Sequence, residues 1–107
     1  MKQIAPIELA GWLADAGREK PLLLDVREPW EWQTARIAGA QHIPMREVPA
    51  RLAELDPDLP VVAICHHGGR SQQVAMFLER NGFSKVHNLQ GGVDAWSRTV
   101  DPAVPLY

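Results

Sequence analysis

Two nearly continuous apolar runs, Leu22-Leu23-Leu24-Asp25-Val26 and Val61-Val62-Ala63-Ile64, stand out along the chain. Both are too short for helices, and neither alternates with polar residues. That is the pattern of strands buried on both faces of a sheet. Lys2–Ile4, His42-Ile43 (ended by Pro44) and Val86–Leu89 are the remaining strand candidates. Between them the apolar spacing turns helical. Pro6 suits a helix's first turn and precedes Ile7, Leu9, Trp12 and Leu13, with an end expected near Gly17. Pro29 starts a short helix through Glu31, Trp32 and Ala35. Pro49 falls early in a segment holding Val48, Leu52 and Leu55, stopped by Asp56-Pro57. Ser71 is expected to open a helix whose inward face is Val74, Ala75, Phe77 and Leu78, and Asn81-Gly82 closes it. Val93–Thr99 supplies the last helix, and the tail Asp101–Tyr107, with Pro102 and Pro105, should be irregular. Strands alternating with helices predict an α/β fold, a parallel sheet flanked by helices on both faces. No repeat or linker interrupts the pattern, so residues 1–107 are expected to form one domain.

Composition narrows the function. A chain of 107 residues, 46% hydrophobic, can bury one core. A charged fraction of 22% and a net charge of −2 argue against disorder, and the scattered lysines and arginines leave no basic stripe for nucleic acid. No apolar run approaches the roughly 20 residues of a membrane span. The first residues, Met1-Lys2-Gln3-Ile4-Ala5-Pro6, lack a secretory apolar stretch. The single cysteine, Cys65, has no internal disulfide partner, which fits a reducing cytoplasm.

Cys65 follows the second apolar run and opens the stretch Cys65-His66-His67-Gly68-Gly69-Arg70-Ser71. A buried strand therefore delivers a thiol into a short glycine-containing loop just ahead of a helix. Successive loop amides can turn inward as an anion-binding nest, and the helix N-terminus adds its dipole. A free thiol with a pKa near 8.5 is roughly 3% thiolate at pH 7. A helix terminus contributes at most about 2 kcal/mol toward the anion. Converging amides have to supply more, with Arg70 as a possible aid. Cys65 is thus the candidate nucleophile rather than a buried apolar filler. A metal is not expected: adjacent His66 and His67 beside Cys65 lack the spacing of zinc sites, and only His42 and His87 remain as further histidines. Protein tyrosine phosphatases separate their cysteine and arginine by one residue more, so the tighter loop here favours sulfur chemistry over phosphorus chemistry.

Four segments in order carry a family resemblance. Leu23-Leu24-Asp25-Val26-Arg27-Glu28 matches a second-strand segment. Arg36-Ile37-Ala38-Gly39-Ala40-Gln41-His42-Ile43-Pro44 is similar to a Gly-His-Ile-x-Gly-Ala-x-x-Ile-Pro element, with Ala35-Arg36 in place of its leading Gly-His. Cys65 to Arg70 matches a six-residue active-site loop, and Asn88-Leu89-Gln90-Gly91-Gly92-Val93-Asp94-Ala95-Trp96 a terminal Leu-x-Gly-Gly-x-x-x-Trp signature. Over nearly its whole length the chain resembles a single-domain rhodanese, a thiosulfate sulfurtransferase. The resemblance implies a five-stranded parallel sheet with Cys65 at the base of a shallow pocket. It implies that Cys65 takes a sulfane sulfur from a small donor such as thiosulfate and, as a persulfide, passes it to cyanide, a thiol or a protein. The amides of His66, His67, Gly68, Gly69, Arg70 and Ser71 would hold the persulfide, while Arg70 and protonated His66 or His67 meet an anionic donor. No cofactor, metal, nucleic acid or membrane is implied. Thiosulfate enzymes of this family often carry arginine or lysine just after the cysteine. Histidines in that place predict weak attraction for thiosulfate at pH 7, stronger in mild acid, or a persulfide as donor. The competing reading is a docking or relay module without catalysis of its own.

Other candidates have ordinary roles. Asp25 beside Arg27 reads as a structural ion pair, with Glu28 next to it. Trp30, Trp32 and Trp96 read as packing residues, with Trp30 or Trp32 able to edge the pocket, and His42 as a loop residue that can approach it.

Overall fold

The two apolar runs lie side by side at the centre of a parallel sheet. The computed structural model describes residues 1–107. Strands β1 (Lys2–Ile4), β2 (Leu22–Asp25), β3 (Gln41–His42), β4 (Val61–Ile64) and β5 (Val86–Leu89) are arranged β1-β5-β4-β2-β3. Every neighbouring pair is parallel, and β2 meets β4 in the register Leu22↔Val61 through Asp25↔Ile64. All four residues of β4 are buried.

Successive β4 side chains enter opposite cores, as the period of two requires. Val61, Ala63 and then Cys65 join Val74, Leu78 and Phe83 in one core, which α3 (Gly69–Arg80) covers. Val62 and Ile64 join Leu9, Trp12, Val93 and Trp96 in the other, under α1 (Pro6–Ala14) and α4 (Gly92–Thr99). The sheet is therefore sealed on both faces, which explains the missing alternation in its central strands. The short helix α2 (Pro29–Thr34) follows β2 and begins at a proline, as expected.

Three expectations need adjusting. The segment around Pro49 forms two 3-10 turns, Met45–Glu47 and Pro49–Glu54, with Arg51 out of helical geometry. Pro44 and Pro49 withhold amide donors there, so no continuous helix runs through. Helix α3 starts at Gly69, two residues before Ser71, because Gly68 has φ +108 and turns the chain sharply from strand exit into helix. Trp30 is 61% exposed and not a core residue, since it sits on the solvent side of a helix only six residues long. Trp96 is buried, and no helix is long and apolar enough to cross a membrane.

Candidate active site

Cys65 leaves the C-terminal end of the central strand, where loops of parallel sheets form sites. Its side chain is 1% exposed. Of the loop amides, Gly68 N–H points at Sγ, 3.0 Å away. The amides of His66, His67, Gly69, Arg70 and Ser71 make no such bond to the sulfur. Those of Gly69, Arg70 and Ser71 belong to the first turn of α3, where a helix has no acceptor of its own to offer. They are donors at the rim of the loop, beyond the thiol itself.

The Ser71 hydroxyl lies 3.3 Å from Sγ and 2.5 Å from Asn88 Oδ1. Asn88 is a buried polar residue on β5, and both its amide hydrogens are spoken for, by Gln3 Oε1 at 3.0 Å and Gly68 O at 3.1 Å. That fixes its oxygen as an acceptor toward Ser71. With the thiol protonated, the hydroxyl donates to Asn88 and can accept from S–H. With a thiolate, it can turn its one proton to sulfur. Asn88 was visible in the sequence as the polar interruption of a strand, but its role depended on the register that sets it beside the loop.

Arg70 is not free at the rim. Its Nη1 and Nη2 donate to Glu31 Oε1 (2.7 Å) and Oε2 (2.9 Å), a two-pronged pair that ties α3 to α2. Glu31 also accepts from its own N-cap amide, Glu28 N (3.1 Å), and from the Tyr107 hydroxyl (2.9 Å). Arg70 holds the Glu31 carboxyl down at about 2, against the opposing effect of burial. Tyr107 is pushed up to about 12, chiefly by burial, and so remains a donor. It accepts in turn from Arg27 Nη1 at 2.7 Å. Arg27 is fully buried with Asp25, which it meets through Nε (2.9 Å) and Nη2 (2.7 Å); it also donates to Ala35 O at 2.5 Å. Burial works against the Arg27 charge, but Asp25 and Tyr107 outweigh it. Asp25 and Arg27 thus form the structural pair the sequence suggested. Glu28 lies outside it, bound to Arg46 on the surface at 2.8 Å. Neither Glu31 nor Tyr107 was a sequence candidate, because their partners are distant in the chain.

Tyr107 also stacks on the His66 ring, with centroids 3.9 Å apart and planes 9° apart, and His67 lies 3.9 Å from His66 on a tilted plane. The irregular tail therefore ends on the cysteine loop, with Trp30 edge-on to Tyr107 at 5.7 Å. Burial, with His67 alongside, holds His66 below the ordinary imidazole value. Any attraction of His66 for an anion is thereby moved to more acidic conditions. His66 Nε2 is buried without a hydrogen-bond partner. His42 instead stacks on Trp32 (5.0 Å, 9°) and bonds to Arg27 O at 2.6 Å. It braces the strand end and does not meet the thiol.

The start of α4 is bonded to the loop: Val93 N donates to Cys65 O (2.9 Å) and Asp94 N to His66 O (3.1 Å). Gly92 makes this approach possible. A Cβ there would stand 2.3 Å from Cys65 O and 2.4 Å from His66 O. Helix α4 also brings Asp94 to the histidines, so that ligand atoms of His66, His67 and Asp94 all lie within 4.8 Å of one another. Two clefts border the loop. One of about 440 Å³ is polar, lined by His67, Gly68, Gly69, Gln72, Asn88 and Gln90 among others. The other, about 340 Å³, is lined by Val26, Glu28, Met45, Arg46 and Arg70.

Known proteins resemble this chain in sequence and fold. The family model described as Rhodanese-like domain matches residues 8–99. Thiosulfate sulfurtransferase GlpE of Pseudomonas aeruginosa is 37% identical over 102 residues, covering 95% of this chain and 88% of that protein. The probable adenylyltransferase/sulfurtransferase MoeZ of Mycobacterium tuberculosis is 41% identical over 106 residues, which are 97% of this chain but 26% of that protein. The chain thus spans less than a third of the length of some relatives it matches. The crystal structure of a rhodanese-like domain protein from Staphylococcus aureus superimposes with a TM-score of 0.85 at 30% identity, covering 100% of this chain and 99% of that one. With a family model matching residues 8–99 and a relative 37% identical over most of both chains, the chain belongs to the rhodanese-like family.

Proposed function

We propose that the chain is a cytoplasmic sulfurtransferase domain, residues 1–107, that carries sulfane sulfur as a persulfide on Cys65. The observation that carries this reading is the Cys65 sulfur, which accepts from Gly68 N–H and sits beside the Ser71 hydroxyl at the mouth of a helix with free amides. In the first half-reaction the thiolate attacks the outer sulfur of thiosulfate. A new S–S bond forms, the S–SO₃ bond breaks, and sulfite leaves with the electron pair. With a persulfide donor, the leaving group is the donor's thiolate. The terminal sulfur on Cys65 carries the negative charge, and the amides of His66 through Ser71, Gly68 N–H foremost, are the donors this reading assigns to it. In the second half-reaction an acceptor, cyanide or a small or protein thiol, attacks that sulfur, and Cys65 thiolate is restored.

Burial of Cys65 supports a donor with a protruding terminal sulfur. Glu31 neutralises much of the Arg70 charge, and burial, with His67 alongside, holds His66 below the ordinary imidazole value. The Arg70–Glu31 pair supports weak attraction for a dianion and makes a persulfide a fitting donor. The name of the GlpE relative supports thiosulfate as a working substrate.

Intact mass measurement after incubation with thiosulfate, and separately with a small-molecule persulfide, tests the proposal. The expected result is the gain of one sulfur atom, absent in Cys65→Ser and lost again on adding cyanide with release of thiocyanate. No adduct from either donor would overturn it and leave a docking module.

A further inference from the structure

We infer that His66, His67 and Asp94 form a binding site for one divalent transition-metal ion of the Zn²⁺ class on the rim of the cysteine loop. Sequence order argues against it, since neighbouring histidines rarely share an ion. The fold supplies what the order lacks: a third ligand from α4, held by backbone. The amide of Asp94 is bonded to the carbonyl of His66, and that of Val93 to the carbonyl of Cys65. The two segments cannot drift apart without breaking both bonds. The three ligand atoms already lie within 4.8 Å of one another. A tetrahedral ion with bonds of 2.0–2.2 Å needs its ligands about 3.4 Å apart; imidazole lone pairs lie in the ring plane, so His67 has to turn out of its packing on His66 to aim at the ion, a rotation its exposed side chain permits, with half-buried Asp94 following.

The surroundings are those of a ligand set. His66 is stiffened by the Tyr107 ring stacked on it at 3.9 Å, with planes 9° apart. Its Nε2 has no hydrogen-bond partner although shut off from solvent. Arg98 Nε donates to Asp94 Oδ2 at 3.0 Å, which orients the carboxylate and leaves its other oxygen without a side-chain donor. Two imidazoles and one carboxylate select Zn²⁺, Co²⁺, Ni²⁺ or Cu²⁺ over Mg²⁺ and Ca²⁺, which prefer oxygen throughout. Three protein ligands leave a coordination position open to water or to a small anion. An ion there rides on the residue next to Cys65, so its occupancy should alter access to the sulfur.

Titration of the tag-free chain with Co²⁺ as an optical probe, and with Zn²⁺ by calorimetry, tests the site. One ion should bind per chain, with the intense visible bands of low-coordinate Co²⁺ and no thiolate-to-metal band in the ultraviolet. Cys65→Ser should bind as the parent does. His67→Ala and Asp94→Asn should each weaken binding at least tenfold, and Asp94→Glu should restore part of it. Far-ultraviolet circular dichroism checks that each variant is folded. The inference fails if millimolar Co²⁺ gives no bands, if His67→Ala or a folded Asp94→Asn binds as tightly as the parent, or if Cys65→Ser abolishes binding.

Discussion

Ser71 has one hydroxyl proton and two acceptors in reach, the Cys65 sulfur at 3.3 Å and Asn88 Oδ1 at 2.5 Å. Its service to sulfur is greatest when the sulfur is charged, because a hydrogen bond to an ion contributes about 1.5–3 kcal/mol against about 1 for a neutral one. Ser71→Ala is expected to lower kcat/KM for sulfur transfer about tenfold or more and to shift the pH profile of thiol alkylation toward alkaline values. A change in rate without that shift would mean that Ser71 only packs. Tyr107, the sole tyrosine, offers a cleaner readout. Burial and Glu31 favour its neutral form over the opposing Arg27, so phenolate absorbance should emerge only near pH 12 in the folded chain. Its folded pKa lies above the ordinary value of 10. The stability it confers is therefore complete below pH 10 and is lost as the pH rises through 12. Ionisation near 10 while circular dichroism remains native would show that the ring is not held against the loop.

At the level of elements, glycine separates contact from propensity. Gly92 combines φ +61 with a Cβ direction blocked by two loop carbonyls, whereas Gly11 in α1 has open space around it. Gly92→Ala should destabilise by about 2–4 kcal/mol through backbone strain and forced separation of α4 from the loop. Gly11→Ala should stabilise by roughly 0.8 kcal/mol from helix propensity alone. Urea unfolding of both variants measures the contrast. The strands and helix beginnings at prolines were legible because periodicity and punctuation are local. So was the cysteine loop, since strand, thiol, glycines and helix are consecutive in the chain. What stayed hidden was produced by tertiary register. Asn88 meets Ser71 only because β5 lies beside β4, and Asp94 meets His66 only because α4 starts against the loop. Arg70 read as a rim cation because nothing nearby in sequence announces Glu31 as its partner. Apolar spacing around Pro49 predicts helix where 3-10 turns form, because spacing alone does not register missing amide donors.

Across the whole molecule, a polar chain runs from buried Asp25 and Arg27 through half-buried Tyr107 to buried Glu31 and half-exposed Arg70, joining sheet, tail, α2 and the start of α3. Glu31 makes this chain sensitive to acid. Its carboxyl titrates at about 2 in the fold because of Arg70, below an ordinary value of about 4.5. Its contribution is thus fully present above pH 4.5 and is lost as the pH falls toward 2. For this buried group the difference corresponds to about 3 kcal/mol. Thermal melting should show the parent losing stability between pH 4.5 and 2, with a shallower fall in Glu31→Gln, which starts lower. Parallel curves for the two would separate Glu31 from the acid response.

The rims of the sheet carry a different consequence. Strand β1 has three residues and β3 two, and they flank a centre sealed by helices. Unpaired backbone at a sheet's border invites other chains to add on and grow into fibres. Here each border offers an incoming chain only a few ladder positions. Crowded solutions of the native protein are accordingly expected to resist fibril growth, with aggregation waiting on unfolding of the long central strands.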